Sequence, residues 1–304
     1  MSTPPLARTH LLALVLAAAC WGAGTAISKQ AVAEVPPLTL LASQLAVSLG
    51  FLTLVGRRRG DEPIAGREAR LLGRLGLLNP GVAYALSLLG LTAITASLSV
   101  LLWAIEPILI LALAGLVLRE RIGPALLVLS TVAIAGLVLV VGDPSASGAT
   151  LGVILTIAGV ACCAVYSVAS RKWLPHVGST IGVIRAQETW ALGLALVLVL
   201  LAAVAGIAPF PVGLTVGGVL STVASGVLYY GLAYWLYLSG LRFVPASRAA
   251  VAFYLVPVFG VAVAAVFGDR LGFSQWVGAA IVVGAVALLT IQTATTTAVS
   301  EPAT

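Results

Sequence analysis

The chain contains one string written twice. GVAYALSLLGLTAITAS begins at Gly81 and GLAYWLYLSGLRFVPAS at Gly231, 150 residues apart in a chain of 304. Aligning residues 76–97 with 226–247 gives eleven identities in twenty-two positions, among them Gly76/Gly226, Gly81/Gly231, Tyr84/Tyr234, Gly90/Gly240 and Ser97/Ser247. A chain rich in Leu, Ala and Gly would give roughly two or three by chance. The register continues to Pro107/Pro257; one residue is then lost, and ERIG from Glu120 aligns with DRLG from Asp269. Upstream, AISK from Ala26 corresponds loosely to VASR from Val168. The chain is therefore a duplicated unit, and any fold proposed for one half must serve the other.

Composition places that unit. Hydrophobic residues make up 61%, charged residues 9%, and the mean hydropathy is +1.14. A soluble domain could not cover such a core with so few charges. Ten apolar runs approach the roughly 20 helical residues that cross a bilayer: 10–29, 37–56, 76–94, 96–118, 123–142, 150–171, 181–206, 216–240, 246–267 and 274–293. The runs are continuous and do not alternate, which points to helices and not to a barrel. EVPP at 34–37, DPSASG at 143–148 and APFP at 208–211 are short connections; only residues 57–74 read as a hydrophilic loop. The expected fold class is an all-α polytopic membrane protein with ten transmembrane helices in two five-helix repeats, residues 1–148 and 149–304.

Basic residues orient the chain. With the N-terminus cytoplasmic, the inner segments hold thirteen: Arg8, Arg57, Arg58, Arg59, Arg67, Arg70, Arg74, Arg119, Arg121, Arg171, Lys172, Arg242 and Arg248. The outer segments hold only Lys29 and Arg270, with Arg185 inside a helix. Both termini are thus expected in the cytoplasm, with residues 57–74 as a cytoplasmic loop. The net charge of +6 follows from this asymmetry, and no nucleic-acid partner is implied. Five helices per repeat is an odd number, so the second copy enters the membrane from the opposite side. Inverted repeats are the signature of secondary transporters, whose two similar halves exchange conformations. At the start of the chain, AAAC at 17–20 resembles a lipoprotein cleavage site, but Ala17 stands where Leu is usual and the apolar pattern continues to Ile27. An uncleaved first helix is the expectation.

At this point the residues resemble a known family. CWG at 20–22, EPILILALAGLVLRERIG at 106–123 and its counterpart VPVFGVAVAAVFGDRLG at 256–272 are similar to the EamA-type branch of the drug/metabolite transporter superfamily. The resemblance covers nearly the whole chain and includes amino-acid and metabolite exporters of the YddG kind. Export and a small-molecule substrate are what it implies, while a composition rich in Ala, Gly, Leu and Arg points to a GC-rich bacterial genome and hence to the inner (plasma) membrane. The superfamily also holds nucleotide-sugar and sugar-phosphate carriers, which leaves the substrate open. Arg185 matches a basic position of the family's seventh helix; its first-half counterpart here reads as Gln44, a departure.

Polar residues at bilayer depth cost on the order of 3 kcal/mol each when charged, so each calls for a reason. Glu106 lies in the middle of the fourth span, before Pro107, which frees a backbone carbonyl upstream. It reads equally as a protonatable or amine-binding carboxylate and as a packing group at a kink. Arg185 and Glu188 are spaced to pair on one face of the seventh helix; a structural ion pair is expected, with Glu188 the deeper member and a cavity candidate. Asn79 precedes Pro80 and serves either substrate or kink. Tyr230, Tyr234 and Tyr237 form one stripe, Tyr84 is the repeat-mate of Tyr234, Trp103 lies one turn from Glu106, and Tyr166 is central in the sixth span. Such a stripe is more often packing, but central phenols need partners.

The candidate substrate-binding residues are therefore Tyr84, Trp103, Glu106, Tyr166, Tyr230, Tyr234, Asn79 and Glu188, with Pro107 and Pro257 as a hinge pair. One carboxylate among aromatics suits small neutral, zwitterionic or cationic molecules. Phosphate-bearing substrates would call for Arg or Lys clamps. Amino acids or related metabolites fit best; a passive carrier and a proton-coupled antiporter share these features, and Glu106 is the one residue that hints at protons as a coupling ion. A cationic drug carrier, a nucleotide-sugar or sugar-phosphate carrier and a channel are the alternatives. Neither cofactor nor metal is expected: the two histidines, His10 and His176, sit at membrane edges, and Cys20, Cys162 and Cys163 lack metal spacing. An intramembrane enzyme would need a convergent nucleophile, base or metal set that these residues do not offer.

Overall fold

The computed structural model describes residues 5–32, 34–61, 64, 66–91, 102, 103, 105–120, 122–141, 150–207, 210, 211, 213–266, 272–274, 276–285 and 288. Residues 96–101 of the fourth span, the DPSASG connection, most of DRLG and the end of the tenth span lie outside them.

The described secondary structure is helical, and helices occupy all ten expected spans. In chain order they are α1 (Pro5–Val32), α2 (Pro37–Arg59), α3 (Gly66–Gly76), α4 (Ala83–Leu91), α5 (Glu106–Val117), α6 (Pro124–Val141), α7 (Thr150–Trp173), α8 (Thr180–Val204), α9 (Val216–Ser225), α10 (Ala233–Leu241), α11 (Ala246–Ala249), α12 (Leu255–Val266) and α13 (Trp276–Ala285). Among the described residues, five helical stretches are long and apolar enough to cross a bilayer: Thr9–Val32, Pro37–Arg59, Thr150–Trp173, Thr180–Val204 and Val216–Leu241. Local chemistry sets several ends. Gly60, at φ 68°, closes α2 in the left-handed conformation that glycine takes freely. Ser179 and Thr215 cap α8 and α9, their hydroxyls accepting the N–H of Gly182 and Gly218.

The hydrophilic loop is shorter than its composition suggests. Residues 66–76 are helical and lead into the third span. Arg67, Arg70 and Arg74 recur at helical spacing on the solvent side while Leu72 is buried, so the arginines mark a helix face and not a loop.

Among the described residues, four interruptions mark the middle of the bundle, and they come in repeat-related pairs. Between α3 and α4, residues Leu77–Val82 form a widened turn; Asn79, held extended before Pro80, leaves helical geometry there. Residues Gly226–Leu232 form the corresponding wide turn between α9 and α10, with helical backbone throughout. In the fourth span a regular helix restarts at Glu106 behind a turn at Ile105. In the ninth, a tight 3₁₀ segment, Ala250–Tyr254, separates α11 from α12. Pro107 and Pro257 thus each lie in the first turn after a break.

Packing crosses between the halves. α1 lies against α9, α10 and α12, and its repeat-mate α7 lies against α4 and α5. α2 packs on α8, on α9 and on the wide turn that follows it; α8 packs on α3 and the equivalent turn. Gly136 of α6 meets Gly278 and Ile281 of α13. The repeats are interlocked, not side by side.

Loops that the ten-span count assigns to one side do meet at one end. At one end, which we call the Glu34 end, the Glu34 carboxylate accepts the Thr215 backbone N–H and hydroxyl, each at 2.8 Å. Those bonds hold its carboxyl below the ordinary glutamate range. At the opposite, Arg171 end, Arg171 donates to the Val244 carbonyl at 3.1 Å, Arg242 to the Gly178 carbonyl at 2.7 Å, and the Ala246 N–H to Glu120 at 2.9 Å.

Candidate functional site

The four breaks converge on a cluster of aromatic side chains. The wide turn before α10 presents Tyr229 and Tyr230; α10 adds Tyr234 and Tyr237. Tyr84 of α4 stacks on Trp103 at 5.7 Å between ring centres and meets Tyr229 and Tyr230 edge-on at 5.4 and 5.6 Å. Tyr230 and Tyr234 are parallel at 6.3 Å, and Tyr166 of α7 meets Tyr234 edge-on. Trp21 of α1 closes the other flank against Tyr234, Tyr237 and Phe253, at 5.2 to 5.5 Å. Offset and edge-on pairs at these distances are the favoured arrangements of aromatic rings.

Three of the phenols find partners on other elements, two of them across the repeats. Tyr234 donates to Asn79 Oδ1 at 2.9 Å, Tyr229 to Tyr84 Oη at 3.1 Å, and Tyr166 to Gln187 Oε1 at 2.9 Å. Trp21 is 6% exposed, and its indole N–H has no partner. Glu106 is equally buried; its carboxylate takes no hydrogen bond from another described residue and lies in electrostatic reach of Tyr229, Tyr237 and Cys163. It stands in the first turn of α5, where the helix dipole favours negative charge. This is a correction: the carboxylate stands at the start of a regular helix, not in the middle of a continuous one.

Six of the eight candidates, Tyr84, Trp103, Tyr166, Tyr230, Tyr234 and Asn79, thus belong to one connected group, with Glu106 at its edge. Glu188 is bonded elsewhere. It accepts the Ser48 hydroxyl of α2 at 2.8 Å, its second oxygen is buried without a partner, and the expected pair with Arg185 is not formed. The guanidinium of Arg185 instead turns toward Gly56 near the end of α2, as a side chain reaching for the membrane edge would. Spacing alone missed Tyr229 and Trp21. A wide turn carries an extra residue, so Tyr229 and Tyr230 face the same centre where a regular helix would present one of them. For Trp21 the available signal was the following Gly22, which lets α1 approach the backbone of Val256 and Gly260.

Among the described residues every Arg and Lys is near a helix end or in a connection, Arg185 being the deepest. A separate apolar groove of about 410 Å³ lies between α5 and α6, lined by Leu111, Leu116 and Leu127 among others. It includes none of the candidate residues.

The EamA-like transporter family matches twice in tandem, over residues 8–142 and 150–291. The chain belongs to that family. The two matched segments coincide with the two five-helix repeats, and the family accounts for a membrane transporter of the drug/metabolite type. A solved structure, described only as a crystal structure of a protein, shares the fold of this EamA-like transporter. Its TM-score is 0.75 at 21% identity, covering 94% of this chain and 97% of its own. No curated protein sequence matches this transporter.

Proposed function

We propose that this transporter moves small amino acids or related metabolites across the inner (plasma) membrane by alternating access, with export the physiological direction and both termini cytoplasmic. The observation that carries the reading is the aromatic group with one carboxylate at its edge, where four broken helices meet. Discontinuous helices at corresponding positions of inverted repeats are where transporters of this architecture hold substrate. Tyr84, Trp103, Tyr166, Tyr230 and Tyr234 supply apolar faces, Asn79 fixes a phenol, Glu106 offers an anion to a substrate ammonium, and Glu188 stays a second, peripheral acid. The absence of cationic clamps among the described residues of the centre disfavours phosphate-bearing substrates. An enzyme has no use for the duplicated, interlocked architecture.

Crossed packing supports moving units other than residues 1–148 and 149–304. They are α1 with α9, α10 and α12 and α7 with α3–α5, shearing on the α2–α8 contact. Pro107 and Pro257, each just past a break, are the hinge pair. Pro107→Ala or Pro257→Ala is expected to slow transport several-fold with substrate affinity retained; an equal loss of affinity removes the hinge assignment.

Counterflow into liposomes holding the purified protein tests the function. Loading with several unlabelled amino acids in turn should drive transient accumulation of one labelled neutral amino acid. Aromatic amino acids should outrank aliphatic ones if the tyrosines contact substrate. Folded protein that gives no counterflow with any amino acid, yet does so with an organic cation, transfers the assignment to the cationic-drug alternative.

A further inference from the structure

The close contacts of repeat-related glycines fix a residue-by-residue register between helices that the sequence repeat alone leaves open. A Cβ on Gly76 would overlap the Gln187 backbone, and one on its mate Gly226 would lie 2.9 Å from the Gln44 carbonyl. Gly81 faces Ala191 and Leu194, whereas Gly231 faces Ser48 and Phe51. Gly90 sits on Gly152 and Thr156, whereas Gly240 sits on His10 and Leu14. These pairs give one consistent register: Gln44 corresponds to Gln187, replacing the correspondence with Arg185, and α1 aligns with α7 so that Ser28 corresponds to Ser170. AISK and VASR give the same serine pair.

The two equivalent sites are in different states. Gln44 Nε2 donates to Ser28 Oγ at 2.9 Å and to Ser225 Oγ at 2.7 Å, tying α2 to α1 and α9. At the equivalent place Gln187 Nε2 is buried with no partner, so the bond to Ser170 is open; its Oε1 is taken by Tyr166. Ser28 and Ser225 lie toward the Glu34 end, and Ser170 toward the Arg171 end. A buried amide N–H left unpaired in a membrane is costly, and it has a partner of matching type one repeat-operation away.

We propose that Gln44–Ser28–Ser225 and Gln187–Ser170 are exchanging latches of the transport cycle: the first is made when the Glu34 end is closed and the second when the Arg171 end is fully closed, and in this structure only the deeper latch of the Arg171 end has parted while the bonds of Arg171, Arg242 and Ala246 still bridge its surface. The inference rests on the alternating-access reading. It assigns Gln44 and Gln187 as positioning residues that select the open side without touching substrate. The latches are unequal. Leu75 stands where the mate of Ser225 would be, so the Arg171-end latch has one hydroxyl fewer and the resting protein favours closure at the Glu34 end.

The test uses the full-length protein in liposomes, with Cys20, Cys162 and Cys163 replaced by alanine. A single reporter cysteine stands at Ala224 beside Ser225 or at Ala169 beside Ser170. Labelling by a membrane-impermeant maleimide is read from each side. Gln44→Leu is expected to raise labelling at 224 and lower it at 169, changing the ratio by about five-fold or more, as one lost hydrogen bond allows. Gln187→Leu should move the ratio the opposite way, and the double variant should return it toward the parent. Shifts in the same direction for both, or no shift in either, overturn the proposal. Should the leucine variants fail to accumulate, Ser28→Ala and Ser170→Ala read the same two latches, with the same opposed shifts required. Labelling needs no substrate. A wild type labelled from only one side under every condition therefore sinks alternating access itself, whereas labelling from both sides without opposed shifts sinks only the latches.

Discussion

Exchange of Gly76 for alanine is expected to prevent the protein from accumulating in folded form. The added methyl would occupy the space of the Gln187 main chain, and α8 cannot yield there, because the same stretch carries the bonds to Tyr166 and Ser48. Overpacking of a rigid core costs about 1–3 kcal/mol and more where backbone must move, so a loss of about 3 kcal/mol or more is anticipated. Its mate, Gly226→Ala, meets the Gln44 carbonyl and Val47 at 2.9 and 3.1 Å and should cost less. Gly50→Ala, with nothing within 4 Å, is the control and should be silent or slightly stabilising. Detergent melting by fluorescence size-exclusion reads all three. An unchanged Gly76→Ala midpoint would show that α3 and α8 are further apart than described.

The second large effect is expected at Glu106. A buried carboxylate facing an aromatic group binds an ammonium by direct charge and by the surrounding rings together. Removing one partner of a buried charged pair costs roughly 2–5 kcal/mol. Glu106→Gln, which keeps shape, should therefore lower amino-acid transport efficiency by about 30-fold or more. A 2-oxo acid, which lacks the amine, should be transported as poorly by the wild type as by the variant. If carriage is coupled to protons through this group, the variant also loses the pH dependence of the wild type. Retention of the parental pH profile ends the coupling role. Equal loss for substrates with and without an amine makes Glu106 a packing residue at the start of α5.

Much of this was legible because hydropathy and repetition are properties of the string itself. Apolar runs marked ten spans, and odd parity followed from dividing them between two copies. What failed had specific physical causes. Arg67, Arg70 and Arg74 disguised α3 as a loop, since polar content hides a helix whose other face is buried. Spacing put Arg185 within reach of Glu188 but said nothing of Ser48, contributed by another helix, which takes that carboxylate. The Gln44/Gln187 correspondence was out of reach because the connection after α8 is longer than that after α2, so an alignment anchored on Tyr84/Tyr234 cannot be carried back through it. Tyr229 was hidden by a turn that breaks the regular helical count. The aromatic membership of the centre, by contrast, needed only that Tyr84 and Tyr234 be recognised as mates.

The crossed packing also sets a timetable for biogenesis. α1 finds its neighbours in α9, α10 and α12, and Gln44 its second hydroxyl in Ser225, roughly 180 residues or more later in the chain. At ribosomal speeds of about 5–20 residues per second, the first helices wait on the order of 10 s in lipid with polar side chains unmatched. During that interval the nascent half is a natural client for membrane chaperones and proteases. Truncation after the fifth span would leave α1 without α9, α10 and α12.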